Sequence, residues 1–260
     1  MFETASGIAG AVQTNGAAKA ASGEDRFVGV ADRASAVWIV IPAYNEAQSI
    51  QAVIEAFRDT SYNLVVVDDG SKDETSQRVS ETRRAYLCRH VINLGQGAAL
   101  QTGIDYARSQ GAQYIVTFDA DGQHGADDVT ALLRPLLKDG YDVALGSRFV
   151  DGSHVEGIPW TRRLLLRAAT AMTRLSLRLD VHDTHNGLRA FTGAAAAKIC
   201  ITQNRMGHAG QILKQISAHR LRFCEVPVTV HYTAYSLAKG QSSLNAFNIV
   251  WDSCLDLLRA

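Results

Sequence analysis

The chain has 260 residues, 47% hydrophobic and 20% charged, with Lys+Arg and Asp+Glu balanced at 26 each. That length supports a substantial core in one large domain or two small ones, and the balanced charge supplies no basic field for nucleic acid. Cys88, Cys200, Cys224 and Cys254 are widely spaced with no Cys-x-x-Cys pair, which argues against a disulfide frame or a zinc site and predicts reduced thiols in a cytosolic compartment.

Residues 1–34 are rich in Ala, Gly, Ser and Thr without an apolar period, and predict a disordered tail. A domain is expected over 35–235, followed by a loop and an amphipathic helix over 236–260. From Val37 onward, VWIVI (37–41), LVVVD (64–68), YIVTF (114–118) and DVALG (142–146) are short apolar runs rich in β-branched residues, as strands buried on both faces require. Helical stretches lie between them, about 46–58, 73–86, 97–110 and 126–139. Alternating strands and helices predict an α/β fold with a mostly parallel central sheet flanked by helices. No run reaches the length of a membrane span and no signal-peptide pattern opens the chain, so the expected location is cytoplasmic, soluble or peripheral on the inner face of the membrane.

Ligands on such sheets bind beyond the carboxyl ends of the strands. The loops there read IPAYNE (41–46), DDGSKDET (68–75), DADGQH (119–124) and GSR (146–148). Asp119 and Asp121 stand one residue apart directly after a buried run, where two like charges raise each other's pKa. A divalent cation would make such a pair tolerable, although the same residues also suit a helix cap or an Asx-turn. P-loop and dinucleotide-binding patterns are absent. NLGQGAAL (93–100) places Gly95 and Gly97 before a helix, where backbone amides meet phosphate, but Gly-x-Gly is also common turn chemistry.

In order, IPAYNE, VVVDDGS, NLGQGAAL, DADGQH, GSRF and DTHNGLRAF resemble the family 2 glycosyltransferases of the GT-A fold. The similarity is strongest to the branch of dolichyl-phosphate mannose synthases and bacterial polyprenyl-phosphate sugar transferases, and it runs from about Val37 to about Val230. It implies inverting transfer of a hexose from a nucleotide sugar, UDP- or GDP-linked, to a polyprenyl phosphate or a glycan acceptor. It also implies roles. Pro42, Tyr44 and Glu46 line the base and ribose, and Asp68, with Asp69 beside it, hydrogen-bonds the base. Gly97 and Ala120 complete the nucleotide-sugar site. Asp119 and Asp121 hold Mg²⁺ or Mn²⁺ on the donor diphosphate, with Gln123 as a further oxygen ligand. Arg148, with Arg162 or Arg163, and Arg189 take the acceptor phosphate, and Asp183 is placed close to the acceptor. Gln96 stands where many relatives carry Lys, so a phosphate-binding cation is missing there.

Between Gly157 and Asp180, Arg163, Arg167, Arg174 and Arg178 fall within about 60° of one another on a helix. Leu164, Leu165, Ala168, Met172, Leu175 and Leu179 occupy the other side. The arginines read either as a solvated face or as a surface for anionic lipid, a peripheral membrane contact. Asp73 reads as the N-cap of the helix that follows, His124 as a solvated loop side chain, and Arg189 as a partner for Asp183. HYTAYSLAKGQSS (231–243) suits a lid, with Lys239 as a replacement cation, and an apolar stripe from Leu244 to Leu258 follows it. Three alternatives remain open: transfer to a hydroxyl, a sugar-phosphate nucleotidyltransferase, and a non-catalytic nucleotide-sugar binding module. The nucleotidyltransferase would want a basic Gly-rich loop where IPAYNE stands.

Overall fold

The computed structural model describes residues 36–156, 160–177, 179–204 and 207–231, with some side chains of the helix from Trp160 outside that description. The predicted tail, the lid with Lys239 and the C-terminal stripe lie outside the described residues. The chain opens with β1 (Val37–Ala43), α1 (Ile50–Glu55), β2 (Asn63–Asp68), α2 (Thr75–Thr82) and β3 (Tyr86–Arg89). It continues with α3 (Gln96–Ser109), β4 (Tyr114–Thr117), α4 (Ala126–Lys138), β5 (Val143–Ser147), β6 (His154–Glu156) and α5 (Trp160–Leu177). β7 (Arg189–Thr192), α6 (Gly193–Ala196), α7 (His208–Ala218), β8 (Phe223–Pro227) and β9 (Thr229–His231) complete it.

The main sheet has seven strands in the order β3-β2-β1-β4-β7-β5-β8. Every pairing is parallel except those of β7, which runs antiparallel between β4 and β5. Along β1, Val37, Ile39 and Ile41 enter one core with α1 and α4, while Trp38 and Val40 enter a second core with α3 and α7. Period-two alternation between two apolar layers is why these strands read as unbroken apolar runs.

The chain steps outward from β1 to β2 and β3, then crosses back so that β4 lies on the other side of β1. That reversal is a topological switch point, where a crevice opens beyond the strand ends. The β1–β4 ladder stops at Val40–Thr117, and Phe118 donates its N–H to the Val40 carbonyl at 2.9 Å. Pro42 lies two residues further along the same side of β1, past the last rung, so its missing N–H deprives no neighbour.

Some elements differ from the sequence expectation. The first helix is regular only over Ile50–Glu55, because the incoming turn is captured by the next loop: Glu46 N–H donates to Thr75 Oγ1 at 2.8 Å and Ala47 N–H to Asp73 Oδ2 at 3.1 Å. Asp73 thereby braces two loops; its Oδ1 also accepts Thr75 N–H at 3.0 Å, one residue ahead of the geometric N-cap Glu74. The predicted helix over 73–86 ends at Thr82, and Tyr86–Arg89 becomes the edge strand β3. Its outer residues Tyr86 and Arg89 are exposed, so no apolar run announced it.

Helix α5 corrects a second expectation. It seats itself through Leu166, Thr170, Thr173 and Leu177, whereas Leu164 and Leu175 are 63% and 85% exposed and Ala168 and Ala171 are exposed beside them. Thr170 Oγ1 meets Thr184 Oγ1 at 3.4 Å, and Ser217 Oγ donates to the Leu177 carbonyl at 3.4 Å. These mixed-polarity contacts at the Thr184 loop and at α7 set the helix rotation, not the leucine stripe.

Candidate active site

Asp119 and Asp121 follow β4 at the crevice. Thr117 Oγ1 donates to the Gly187 carbonyl at 2.7 Å, which brings the Asn186–Gly187 turn beneath Asp119. A Cβ on Gly187 would lie 2.2 Å from Asp119 Oδ2, so only glycine lets the carboxylate settle there. Gln96 Nε2 donates to Asp119 Oδ1 at 3.2 Å. In place of the lysine of many relatives, this chain puts a neutral donor on the first carboxylate.

Burial, then the neighbouring Asp119, pushes the Asp121 carboxyl up to about 6. Gln123 offsets this in part, donating its backbone N–H to Oδ1 at 3.1 Å and its side-chain amide to Oδ2 at 2.8 Å. His231 N–H donates to the Gln123 carbonyl at 3.0 Å, so β9 anchors the end of this loop. Ala120 is buried between the two carboxylates. His124 is not a solvated side chain: it is 5% exposed and meets the edge of Phe118 at 6.2 Å between ring centroids.

On the β1–β2 side, Tyr44 is 40% exposed, while Glu46 is buried and accepts from Ser49 Oγ at 2.7 Å. Asp68 is fully buried; it accepts Ser71 N–H at 2.8 Å and the Ser76 hydroxyl. Asp69 gathers the loop after β3, accepting the N–H groups of Leu94 at 2.9 Å and Gly95 at 2.7 Å, with His90 Nδ1 at 2.7 Å. His90 Nε2 lies 2.9 Å from Thr102 Oγ1 on α3. The expectation that the Gly95 and Gly97 amides are exposed for phosphate is corrected. Gly95 N–H is spent on Asp69, and Gly97 N–H donates to the Asn204 carbonyl at 3.0 Å. These glycines serve close approach: Gly95 has φ +100°, and a Cβ there would lie 2.1 Å from the Asn204 oxygen.

Arg148, Asp183 and Arg189 form a buried charge cluster. Arg148 grips Asp183 bidentately, Nε to Oδ2 at 2.6 Å and Nη2 to Oδ1 at 2.7 Å, and adds its backbone N–H at 3.0 Å. Burial alone would raise the Asp183 carboxyl, but Arg148 outweighs it and holds the group below the ordinary carboxylate range. Asp183 therefore pairs with Arg148 and not with Arg189 as the sequence suggested.

Arg189 is 4% exposed on β7 and donates through Nη2 to the Thr184 carbonyl at 3.2 Å. Burial lowers its guanidinium to about 10, while Asp119 and Asp183 pull it back up, which places it as their shared counter-charge. His185 is pushed down to about 4 by burial and is neutral, with Nδ1 2.7 Å from Thr184 Oγ1. Arg148 and Arg167 lie 5.6 and 5.7 Å from the Phe149 ring centroid. The side chains of Arg162 and Arg163 are outside the described residues. Gly187 is the site residue the sequence reading did not single out, and only the Asn-Gly turn in DTHNG hinted at it.

Residues 38–200 match the family model described as glycosyl transferase family 2. The UDP-N-acetylglucosamine–dolichyl-phosphate N-acetylglucosaminyltransferase of Methanococcus voltae is 30% identical over 234 residues, 83% of this chain and 93% of its own. The polyprenol monophosphomannose synthase of Mycolicibacterium smegmatis is 30% identical over 219 residues, 81% and 82% of the two chains. Among solved structures, glucosyl-3-phosphoglycerate synthase from Mycobacterium tuberculosis, complexed with Mn²⁺, uridine diphosphate and glucosyl-3-phosphoglycerate, superposes with a TM-score of 0.64 at 20% identity. That superposition covers 90% of this chain and 86% of the other, and shows a shared fold.

Proposed function

The chain belongs to glycosyl transferase family 2 and is a glycosyltransferase, and from that premise we propose that it moves a hexose from UDP- or GDP-hexose to a polyprenyl phosphate. The donor side rests on the carboxylate pair. Asp119 and Asp121 with the Gln123 amide form a hard oxygen set, and two carboxylates this close and this buried repel each other unless a cation lies between them. These residues would hold Mg²⁺ or Mn²⁺, which would neutralise the charge that builds on the departing diphosphate. Gly187 and Gln96 orient Asp119, and Gln123 orients Asp121, so both carboxylates are placed before the donor arrives.

The observation that carries the acceptor assignment is the Arg148–Asp183 pair. A hydroxyl acceptor needs a base to take its proton, and Asp183, the acceptor-side carboxylate for that task, is committed to two arginine N–H groups and held firmly ionised. A phosphate monoester, with a second pKa near about 6, is already anionic and needs no base. One of its oxygens attacks the anomeric carbon as the bond to the donor diphosphate breaks, with inversion. Bringing two anions together needs cations: Arg167, exposed over the Phe149 ring, is one, Arg162 and Arg163, close before it in sequence, are the proposed others, and Arg148, spent on Asp183, braces the loop they act from. In this reading Asp69 and the glycines at 95 and 97 shape the donor pocket, base contact falls to Tyr44, and buried Asp68 braces the loop through Ser71 and Ser76. The relatives named for dolichyl phosphate and polyprenol substrates support the same acceptor class. The enzyme would work at the inner face of the membrane without crossing it; among the described residues no helix is long and apolar enough to span a bilayer.

The test is a transfer assay with UDP- and GDP-hexoses, Mn²⁺, and three acceptors: polyprenyl phosphate, free polyprenol and a free glycan. Transfer confined to the phosphate and abolished by EDTA is expected. Equal or faster transfer to either hydroxyl acceptor, or full rate in EDTA, would overturn the assignment.

A further inference from the structure

The turn from Asp183 to Gly187 joins the two sides of the cleft. At its start Asp183 is gripped by Arg148, and at its end Gly187 lies against Asp119. The four steps between them span at most about 14 Å. A group passed from a diphosphate at Asp119 and Asp121 to an acceptor on the Arg148 side therefore crosses residues 184–186.

The turn is tied down from beneath. Thr117 Oγ1 donates to the Gly187 carbonyl at 2.7 Å, Arg189 Nη2 to the Thr184 carbonyl at 3.2 Å, and Gly146 N–H to the Leu188 carbonyl at 2.9 Å. Two of its own side chains close it: Asp183 Oδ1 accepts His185 N–H at 3.2 Å, and Asn186 Oδ1 accepts Leu188 N–H at 2.9 Å. Asp183, Thr184 and Asn186 are all buried, and so is the Nδ2 atom of Asn186. Within the turn, His185 and Gly187 alone keep accessible surface, and glycine has no side chain. His185 is thus the one side chain that the turn offers to a group lying over it.

The chemistry of His185 narrows what that group is. Nδ1 lies 2.7 Å from Thr184 Oγ1, which lies 3.4 Å from Thr170 Oγ1 on α5, so the ring is held in place. Nε2 meets no polar partner among the described residues and is left for a ligand. Burial, opposed by Asp183 and aided by Arg148 and Arg189, pushes the imidazole down to about 4 and keeps it neutral. A neutral ring brings no charge to a phosphate, and so low a pKa makes it a weak base for a hydroxyl acceptor. One uncharged nitrogen on a fixed ring suits one hydroxyl of a sugar.

We propose, on the hexose-transfer reading above, that His185 hydrogen-bonds a hydroxyl of the transferred hexose through Nε2 and so sets which hexose is accepted, whichever acceptor follows. A site built to pair a hydroxyl rejects a sugar that lacks it or carries it in the wrong orientation, because the protein group is then left unpaired.

The test compares the parent with His185→Phe, which keeps a ring without a polar atom, and His185→Gln, which keeps a polar group near the position of Nε2. Transfer is measured with Mn²⁺ and UDP- and GDP-linked glucose, mannose and N-acetylglucosamine, then with singly deoxygenated forms of the hexose used best. His185→Phe should lower kcat/KM for that hexose about tenfold or more, and His185→Gln by clearly less. One deoxygenated donor should lower the parent by a similar factor and cost His185→Phe nothing further, since the bond it tests is already gone. The calorimetric Kd for the nucleoside diphosphate with Mn²⁺, which carries no sugar, should be the parent's in both variants, and so should the unfolding midpoint. Parental kcat/KM in His185→Phe, the same further loss on every deoxygenated donor, or a nucleoside diphosphate Kd weakened as much as transfer would overturn the sugar contact. A parent that transfers none of these hexoses to polyprenyl phosphate, polyprenol or glycan would refute the hexose donor itself, and the role of His185 with it.

Discussion

Replacing Asp121 by Asn should make the metal-free protein more stable while abolishing its activity. In the folded chain the Asp121 carboxyl is pushed up to about 6 by burial and by Asp119, against an ordinary value of 3.8. Between those values the folded state keeps a proton that the unfolded chain has released, so stability falls as pH rises through this window. The loss is absent below about pH 4 and complete above about pH 6; at 1.36 kcal/mol per pH unit it approaches roughly 3 kcal/mol. Asn keeps an acceptor for the Gln123 N–H and carries no charge, so the variant should not show this loss. For a chain of this size about 3 kcal/mol corresponds to a rise in Tm of roughly 6–12 °C at pH 7.5 in EDTA. Thermal unfolding from pH 4 to 8 in EDTA reads the effect directly: the two proteins should converge at pH 4 and separate above pH 6. Adding Mn²⁺ with uridine diphosphate should stabilise the parent, by about 2.7 kcal/mol at a ligand concentration a hundredfold over Kd, and should leave the variant nearly unmoved. If Asp121→Asn is less stable than the parent at pH 7.5, or follows the same pH slope, the carboxylate pair is not the strained element inferred from its burial.

Arg148→Ala should cost about 3–5 kcal/mol in urea unfolding because it strands the Asp183 carboxylate in the interior, and Arg148→Met combined with Asp183→Leu should cost less than either single change. The opposite order would show that the pair is not coupled. Gly187→Ala should drive a Cβ into the tip of Asp119 and lower turnover by at least about a hundredfold with little change in Tm, since the carboxylate yields before the backbone does; parental turnover would remove Gly187 from the site. Asp69→Ala should free the loop from His90 to Gly95 and raise the Kd for uridine diphosphate with Mn²⁺ by about tenfold, with Asp69→Asn milder because it keeps one acceptor oxygen. Unchanged affinity in calorimetric titration of the Ala variant would show that the loop does not shape the donor pocket.

The sequence by itself determined the parts governed by local period and by chemistry at strand ends. Strands β1, β2, β4 and β5 are buried on both faces, so their apolar runs are unbroken and legible, and the acidic loops that follow them mark the carboxyl edge of a parallel sheet. Asp119 and Asp121 were legible for the same reason: two charges one residue apart at the end of a buried run need a partner. Tertiary structure alone decided how the long-range charges pair. DTHNGLRAF holds both Asp183 and Arg189, and proximity along the chain suggested that they pair. Instead β7 wedges antiparallel between β4 and β5, turning Arg189 inward under Asp119 while the end of β5 brings Arg148 onto Asp183. The rotation of α5 was equally out of reach, because a helical wheel shows which residues share a face but not which face the protein covers. Thr170 and Ser217 anchor the helix through polar contacts formed only once the sheet is assembled, and they leave Leu164 and Leu175 outside.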